Sequence, residues 1–216
     1  MIIRCIGHAE FLLELENGMR LVIDPYDPSC GYPVVPLQAD AVLVSHGHHD
    51  HCAVESIQGE PRVINAAGVH TLASDVRVTA VPCFHDDAQG AKRGTNLMFL
   101  IEAEGLRVAH LGDLGHLPTT EQAAVLAPVD VLMIPVGGFF TIDAAVARET
   151  ARMLQAQVIL PMHYRTQAND GWPIAPVGEF LSLYETQVEH LDLLRVARGD
   201  LDCQPALAVL EPQSLK

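Results

Sequence analysis

The chain has little positive charge, no cysteine framework and no uninterrupted apolar run long enough to cross a membrane. Only 13 lysines and arginines stand against 27 aspartates and glutamates, a formal charge of -14 over 216 residues. Without a basic run there is no footing for a phosphate backbone, so nucleic acid is not an expected partner. Cys5, Cys30, Cys52, Cys83 and Cys203 are odd in number, scattered and without a C-x-x-C pair. That argues against disulfides and suits a reducing compartment. The longest apolar region, 123–142, is interrupted by Pro128, Asp130, Pro135 and the pair Gly137-Gly138, so no membrane partner is expected. The first residues lack the basic start and small-residue cleavage site of a signal peptide, and a cytoplasmic location is expected. Neither a Gly-rich phosphate loop nor a solenoid repeat is visible.

What remains is a chain that is 49% hydrophobic, enough for one domain over 1–216 with a two-layer core. Apolar alternation and buried-type runs predict strands at 2–6, 11–15, 21–23, 41–44, 62–64, 76–81, 97–102, 107–111, 131–134, 158–160 and 207–210. Helices are expected at 119–127, where Thr119 and Gln122 have capping-box spacing, at 143–154 and at 177–184. The fold class is α/β or α+β, with helices packed outside sheets.

The segment that carries chemistry is Ser45-His46-Gly47-His48-His49-Asp50-His51, directly after the strand expected at 41–44. Alternate residues of an extended chain point the same way, so His46 and His48 can reach one ion. A turn into a helix at Asp50 swings Asp50 and His51 toward a second position. Imidazole and carboxylate are donors that zinc accepts, as do iron and manganese to a lesser degree. His85, Asp113 and His163 share an address with His46, each just beyond an expected strand, where sites on rigid scaffolds gather. Taken singly, each reads better as an ordinary loop or core residue; the shared address reverses that. Asp113 lies in Gly112-Asp113-Leu114-Gly115, a stretch otherwise suited to a core, where an unpaired carboxylate is costly. His49 points away from its neighbours, His110 reads as core, and Cys52 and Cys83 read as packing residues.

The order His46-x-His48-x-Asp50-His51, then His85, Asp113 and His163, resembles the metallo-β-lactamase superfamily over nearly the whole chain. Gly112-Asp113-Leu114-Gly115 and Pro161-Met162-His163-Tyr164 are most similar to its small bacterial hydrolases related to ascorbate-6-phosphate lactonase. The resemblance implies a four-layer αβ/βα sandwich with its site at one edge. It implies two divalent metal ions, zinc first and manganese or iron as alternatives. His46, His48 and His85 would bind one ion, Asp50, His51 and His163 the other, and Asp113 would bridge them. The implied reaction is attack by a metal-bridging hydroxide on a small ester, lactone or phosphodiester. Asp50 is the expected orienter of the attacking oxygen. By their places next to Asp113 and His163, His116, Tyr164 and Arg165 are candidates to supply a proton or grip an oxyanion, though each taken singly reads better as a loop residue with ordinary hydrogen bonds. His8, in Gly7-His8-Ala9, either approaches the metals or makes a structural hydrogen bond. Specificity is expected from loops at 24–36, 86–95, 137–141 and 166–176.

Three other readings compete. A mononuclear iron dioxygenase acting on a persulfide needs only two histidines and an aspartate of this set. An RNA-cleaving metallo-nuclease has substrate-gripping arms for which this chain has neither length nor positive charge. The third is a metal-binding protein without catalysis. A small-molecule substrate is the expected partner, and no exposed apolar seam marks an oligomer.

Overall fold

A computed structural model describes residues 1–216. From the amino terminus come β1 (Ile2–Gly7), β2 (Glu10–Glu14), β3 (Arg20–Ile23), β4 (Leu37–Gln38), β5 (Ala41–Leu43), β6 (Ile57–Gln58) and β7 (Arg62–Ile64). Next are β8 (Gly68–Ala73), β9 (Val76–Phe84), β10 (Thr95–Ala103) and β11 (Leu106–His110). Helices then interleave: α1 (Thr120–Leu126), β12 (Val131–Pro135), α2 (Ala144–Met153), β13 (Val158–Met162) and α3 (Val177–Leu181). Short strands β14 (Glu189–Leu191), β15 (Leu194–Arg195) and β16 (Ala208–Leu210) close the chain.

Side-chain alternation decides how these pack. In β2, Phe11 and Leu13 face one way and Leu12 the other; Leu21 and Ile23 oppose Val22 in β3, and Ala41 and Leu43 oppose Val42 in β5. Both faces of this sheet are therefore apolar and must be covered. The sheet has the order β15-β1-β2-β3-β5-β7, and a second six-stranded sheet has the order β13-β12-β11-β10-β9-β8. Their inner faces meet in one core centred on residues such as Leu13, Ile23, Phe99, Ile101 and Met133. Truncating a fully buried ring such as Phe99 to alanine costs about 3–5 kcal/mol.

The outer face of the second sheet, through Leu132 and Ile134, packs on Ala123 and Leu126 of α1 and Ala147 and Ala151 of α2. Irregular chain covers the outer face of the first sheet, with Tyr26, Cys30, Tyr32 and Leu37 buried there. The fold is an α+β sandwich with two sheets and few helices. Both longer helices start as expected. Thr119 and Gln122 form a capping box, and Asp143 caps Val146 N.

Strand direction then places the site. β1 and β3 are each antiparallel to β2, and β3 is parallel to β5, so β1, β3 and β5 end at one edge. By the same reasoning β9, β11, β12 and β13 end together in the second sheet.

Some expectations fail. No helix begins at Asp50: bends and turns lead to a single 3-10 turn, Val54–Ser56. The backbone there is tied to another segment, Asp27 N to His49 O at 3.1 Å and Ala53 N to Pro25 O at 2.8 Å, which displaces the helical ladder. The third helix stops at Leu181. The strand expected at 76–81 continues through Pro82 to Phe84, because β8 no longer pairs there and the missing N–H costs no ladder bond. No helix is long and apolar enough to cross a membrane, and all five cysteines are free.

Candidate metal centre

Six strand ends deliver the site. β1 leads into His8, β3 into Asp24, β5 into the run from Ser45 to His51, β9 into His85, β11 into Asp113 and β13 into His163. His8, Asp24 and His163 have φ of 52°, 50° and 52°. This left-handed conformation costs a non-glycine residue about 1–3 kcal/mol and is tolerated where the surroundings fix it. Asp113 reaches the centre on a loop that needs its glycines. A Cβ at Gly112 (φ 52°) would collide with Asn96 Oδ1 and Ser45 Cβ, and one at Gly115 with the backbone of His85 and Asp86.

The seven residues expected to ligate metal converge. His46, His48 and His85 form a triangle with ring centroids 4.6, 4.8 and 5.0 Å apart. A second group contains Asp50, His51 and His163, joined by His8, whose Nε2 lies 3.3 Å from Asp50 Oδ2. His51 Nε2 is 3.5 Å from the same oxygen. Asp113 stands between the groups: Oδ2 is 3.1 Å from His85 Nε2 and 3.2 Å from His163 Nε2, and Oδ1 is 3.1 Å from His51 Nε2. Its own backbone N–H donates to Asn96 Oδ1 at 3.0 Å.

Asp24 organises this arrangement from behind. It is fully buried and accepts from Ser45 N and Ser45 Oγ, both at 2.7 Å, and from His51 Nδ1 at 2.9 Å. Because a carboxylate only accepts, the Ser45 hydroxyl proton points at Asp24. His46 Nδ1, 2.9 Å from Ser45 Oγ, must therefore be the donor. His51 and His46 both carry their proton on Nδ1 and turn Nε2 toward the centre. Sequence reasoning missed Asp24 and assigned it to a specificity loop. Its signal was there: an acid directly after the apolar run Leu21-Val22-Ile23, the address shared by the residues expected to ligate.

Burial, then the charge of His51, lowers His46 to about 3, and burial, then the charge of His163, lowers His8 to about 4. Burial also lowers His48. Burial works against the charged forms of Asp24, Asp50 and Asp113, yet the surrounding imidazoles hold all three below the usual carboxylate range. Burial disfavours charge on His51 too, but Asp113 and Asp24 on its two sides raise it well above its ordinary value. Neutral His8, His46 and His48 facing ionised carboxylates suit a divalent cation, whose positive charge would stand in for the proton on His51.

The residues fit a cation on a second ground. His8 Nδ1 and Nε2, His51 Nε2, His85 Nδ1, Asp113 Oδ1 and His163 Nδ1 and Nε2 are buried without a hydrogen-bond partner. The His51–Asp113 approach is close but misaligned for a hydrogen bond. Each orphaned buried group costs about 1–3 kcal/mol, and five residues of one cluster share the defect. Coordination would relieve it at the orphaned atoms that face the centre, His51 Nε2, His163 Nε2 and Asp113 Oδ1.

Other expectations sort differently. His116 is not drawn into the cluster: its Nε2 accepts from Phe84 N at 3.2 Å and its Nδ1 donates to Leu117 O at 2.8 Å. Tyr164 packs with the helix-side core, and Arg165 is exposed and does not line the cleft over the cluster. His49 is exposed and bonds Ser29 Oγ at 2.9 Å, and His110 is buried and bonds Ala9 O at 2.9 Å. Cys83 is buried beside Asn96. A cleft of about 440 Å³ opens over the cluster, and its outer walls come from three of the four expected loops through Arg93, Phe140, Trp172 and Pro173.

Comparison with known proteins agrees with this geometry. The family described as the β-lactamase superfamily domain matches residues 2–163. A UPF0173 metal-dependent hydrolase from Carboxydothermus hydrogenoformans is 30% identical over 210 residues, covering 83% of this chain and 90% of that protein. A Thermotoga maritima structure assigned as a zinc-dependent hydrolase of the metallo-β-lactamase superfamily superposes with a TM-score of 0.78 at 36% identity, covering 97% and 98% of the two chains. Igni18, a metallo hydrolase from Ignicoccus hospitalis, shares the fold with a TM-score of 0.69 at 21% identity, covering 98% and 95%.

Proposed function

The chain belongs to the metallo-β-lactamase superfamily as a metal-dependent hydrolase, and we propose that it holds two divalent ions, zinc by preference, and cleaves a small ester, lactone or phosphodiester. The observation that carries the binuclear reading is the reach of one carboxylate. Asp113 Oδ2 lies within 3.2 Å of His85 and His163, which belong to different histidine groups. His46, His48 and His85 would hold one ion, Asp50, His51 and His163 the other with His8 beside them, and Asp113 would serve both.

When bound, two such ions supply Lewis-acid charge for a developing oxyanion and lower the pKa of a water from about 16 toward about 7. The protein's own groups do the rest. Asp50 stays ionised at neutral pH because His51 and His8 hold its proton affinity down. It is therefore a standing acceptor that can orient the attacking oxygen. Asp24 and Ser45 fix the tautomer of His46 and the orientation of His51 so that both turn Nε2 toward the centre, and the proton that Asp113 and Asp24 hold on His51 would leave as a cation takes its place. Phe140 and Trp172 wall the cleft and position a small substrate against this floor.

The test is a panel of lactones, carboxylic esters and phosphodiesters offered to zinc- and manganese-loaded protein. At least one class should turn over, with activity lost to a chelator and in Asp50→Ala at unchanged fold. No turnover of any class, or equal turnover in Asp50→Ala, contradicts the reading.

A further inference from the structure

The cleft over the histidine cluster has one permanently positive side chain among its lining residues, Arg93. Its guanidinium lies 5.5 Å from the centroid of the Phe140 ring, and it forms no ion pair, whereas neighbouring Lys92 is committed to Asp87 at 2.7 Å. In a chain with twice as many acids as bases, an arginine without a carboxylate partner at the mouth of a cleft is a group in need of a ligand.

Its position is built. Asp86, buried and next to His85, accepts from the backbone N–H groups of Ala88, Gly90, Lys92 and Arg93 at 2.7 to 2.9 Å. His85 N in turn donates to Gly94 O at 3.0 Å. One short segment thus carries both a cluster imidazole and the arginine, and the carboxylate between them sets their spacing. On the other side Phe140 meets Trp172 edge-on, centroids 6.0 Å apart, and Trp172 stands 5.2 Å from the His8 ring. Arginine, two aromatic rings and imidazoles form a continuous wall.

We propose that Arg93 is a specificity residue and that the substrate carries an anionic group, carboxylate or phosphate, which it grips while Phe140 and Trp172 hold the adjoining apolar part. Guanidinium presents its N–H groups in a fork that matches both oxyanions, and stacking on an aromatic face preorganises that fork. The proposal rests on the hydrolase reading for the reaction, while its binding half stands separately.

Trp172 is the one tryptophan of the chain, so its fluorescence reads this wall directly. Zinc-loaded protein is titrated with phenylacetate, phenyl phosphate and neutral benzyl alcohol. Both anions should bind at least about tenfold more tightly than the alcohol, a difference that one charge-assisted contact supplies. Arg93→Ala should lose about tenfold for the anions alone, with zinc content and benzyl alcohol binding unchanged, and Arg93→Lys should recover part of it. The relative strength of the two anions tells carboxylate from phosphate. The proposal is overturned if Arg93→Ala binds the anions as tightly as the parent protein, if it weakens all three probes equally, or if the parent shows no preference for the anions. A protein that hydrolyses nothing in the panel yet shows the Arg93-dependent preference loses the hydrolase reading and keeps this one.

Discussion

Asp24 Oδ2 accepts a hydrogen bond from His51 Nδ1 at 2.9 Å, so a carboxylate sealed from solvent sets the direction in which a cluster histidine faces. The same oxygen takes the Ser45 hydroxyl at 2.7 Å, extending its control to His46. Replacing Asp24 with asparagine keeps the shape and removes the charge. Metal affinity should fall by about 10- to 100-fold, the range typical of such supporting carboxylates, measured by competition with a chromophoric chelator. Activity at limiting metal should fall with it and recover in part at excess metal. Unchanged affinity would assign Asp24 to folding alone.

Glu10 tests the electrostatics of the first sheet next to the cluster. It is buried in β2, and burial, with a further contribution from Asp24, raises it to about 8. The unfolded chain ionises it near 4.5, so the folded state retains the proton over the window from 4.5 to about 8 and loses stability as pH rises through it. Glu10→Gln should therefore be more stable than the parent at pH 8 to 9, by an amount on the order of a few kcal/mol, with the difference vanishing near pH 4. Urea unfolding at the two pH values checks the sign.

His116 should be dispensable for chemistry. Both ring nitrogens are engaged by backbone, at Phe84 N and Leu117 O, leaving neither free for proton transfer. His116→Ala should keep kcat/KM within about threefold while losing about 1 kcal/mol of stability, a Tm drop of about 2–4 °C for a chain of this size. A hundredfold fall in kcat at unchanged metal content would restore it as a general acid.

The sequence reading succeeded where local chemistry decides. The alternation in 11–15 and 21–23 divides the two faces of the first sheet, Thr119 and Gln122 do cap α1, and the strand ends carrying His46, His85, Asp113 and His163 do lie at one edge. It failed where distant chain decides. Residues 49–53 are held in turns by the loop at 25–27, which no local propensity reveals. His116, next to the Asp113 loop in sequence, is drawn to the Phe84 backbone instead. Asp24 and Arg93 were missed for opposite reasons: Asp24 carried the strand-end signal without being weighed by it, whereas Arg93 acquires its place only through the four hydrogen bonds Asp86 makes to its loop.

Two ions, one on either side of Asp113, are what the proposed hydrolysis requires. Metal content per chain, measured by elemental analysis on zinc-reconstituted protein beside Asp113→Ala, tests that requirement most directly. The parent should hold close to two zinc ions and the variant at most one, with at least a thousandfold loss of hydrolysis in a variant that is still folded. A parent that retains a single ion, or one that takes iron and consumes oxygen without hydrolysing any ester, lactone or phosphodiester, would contradict it.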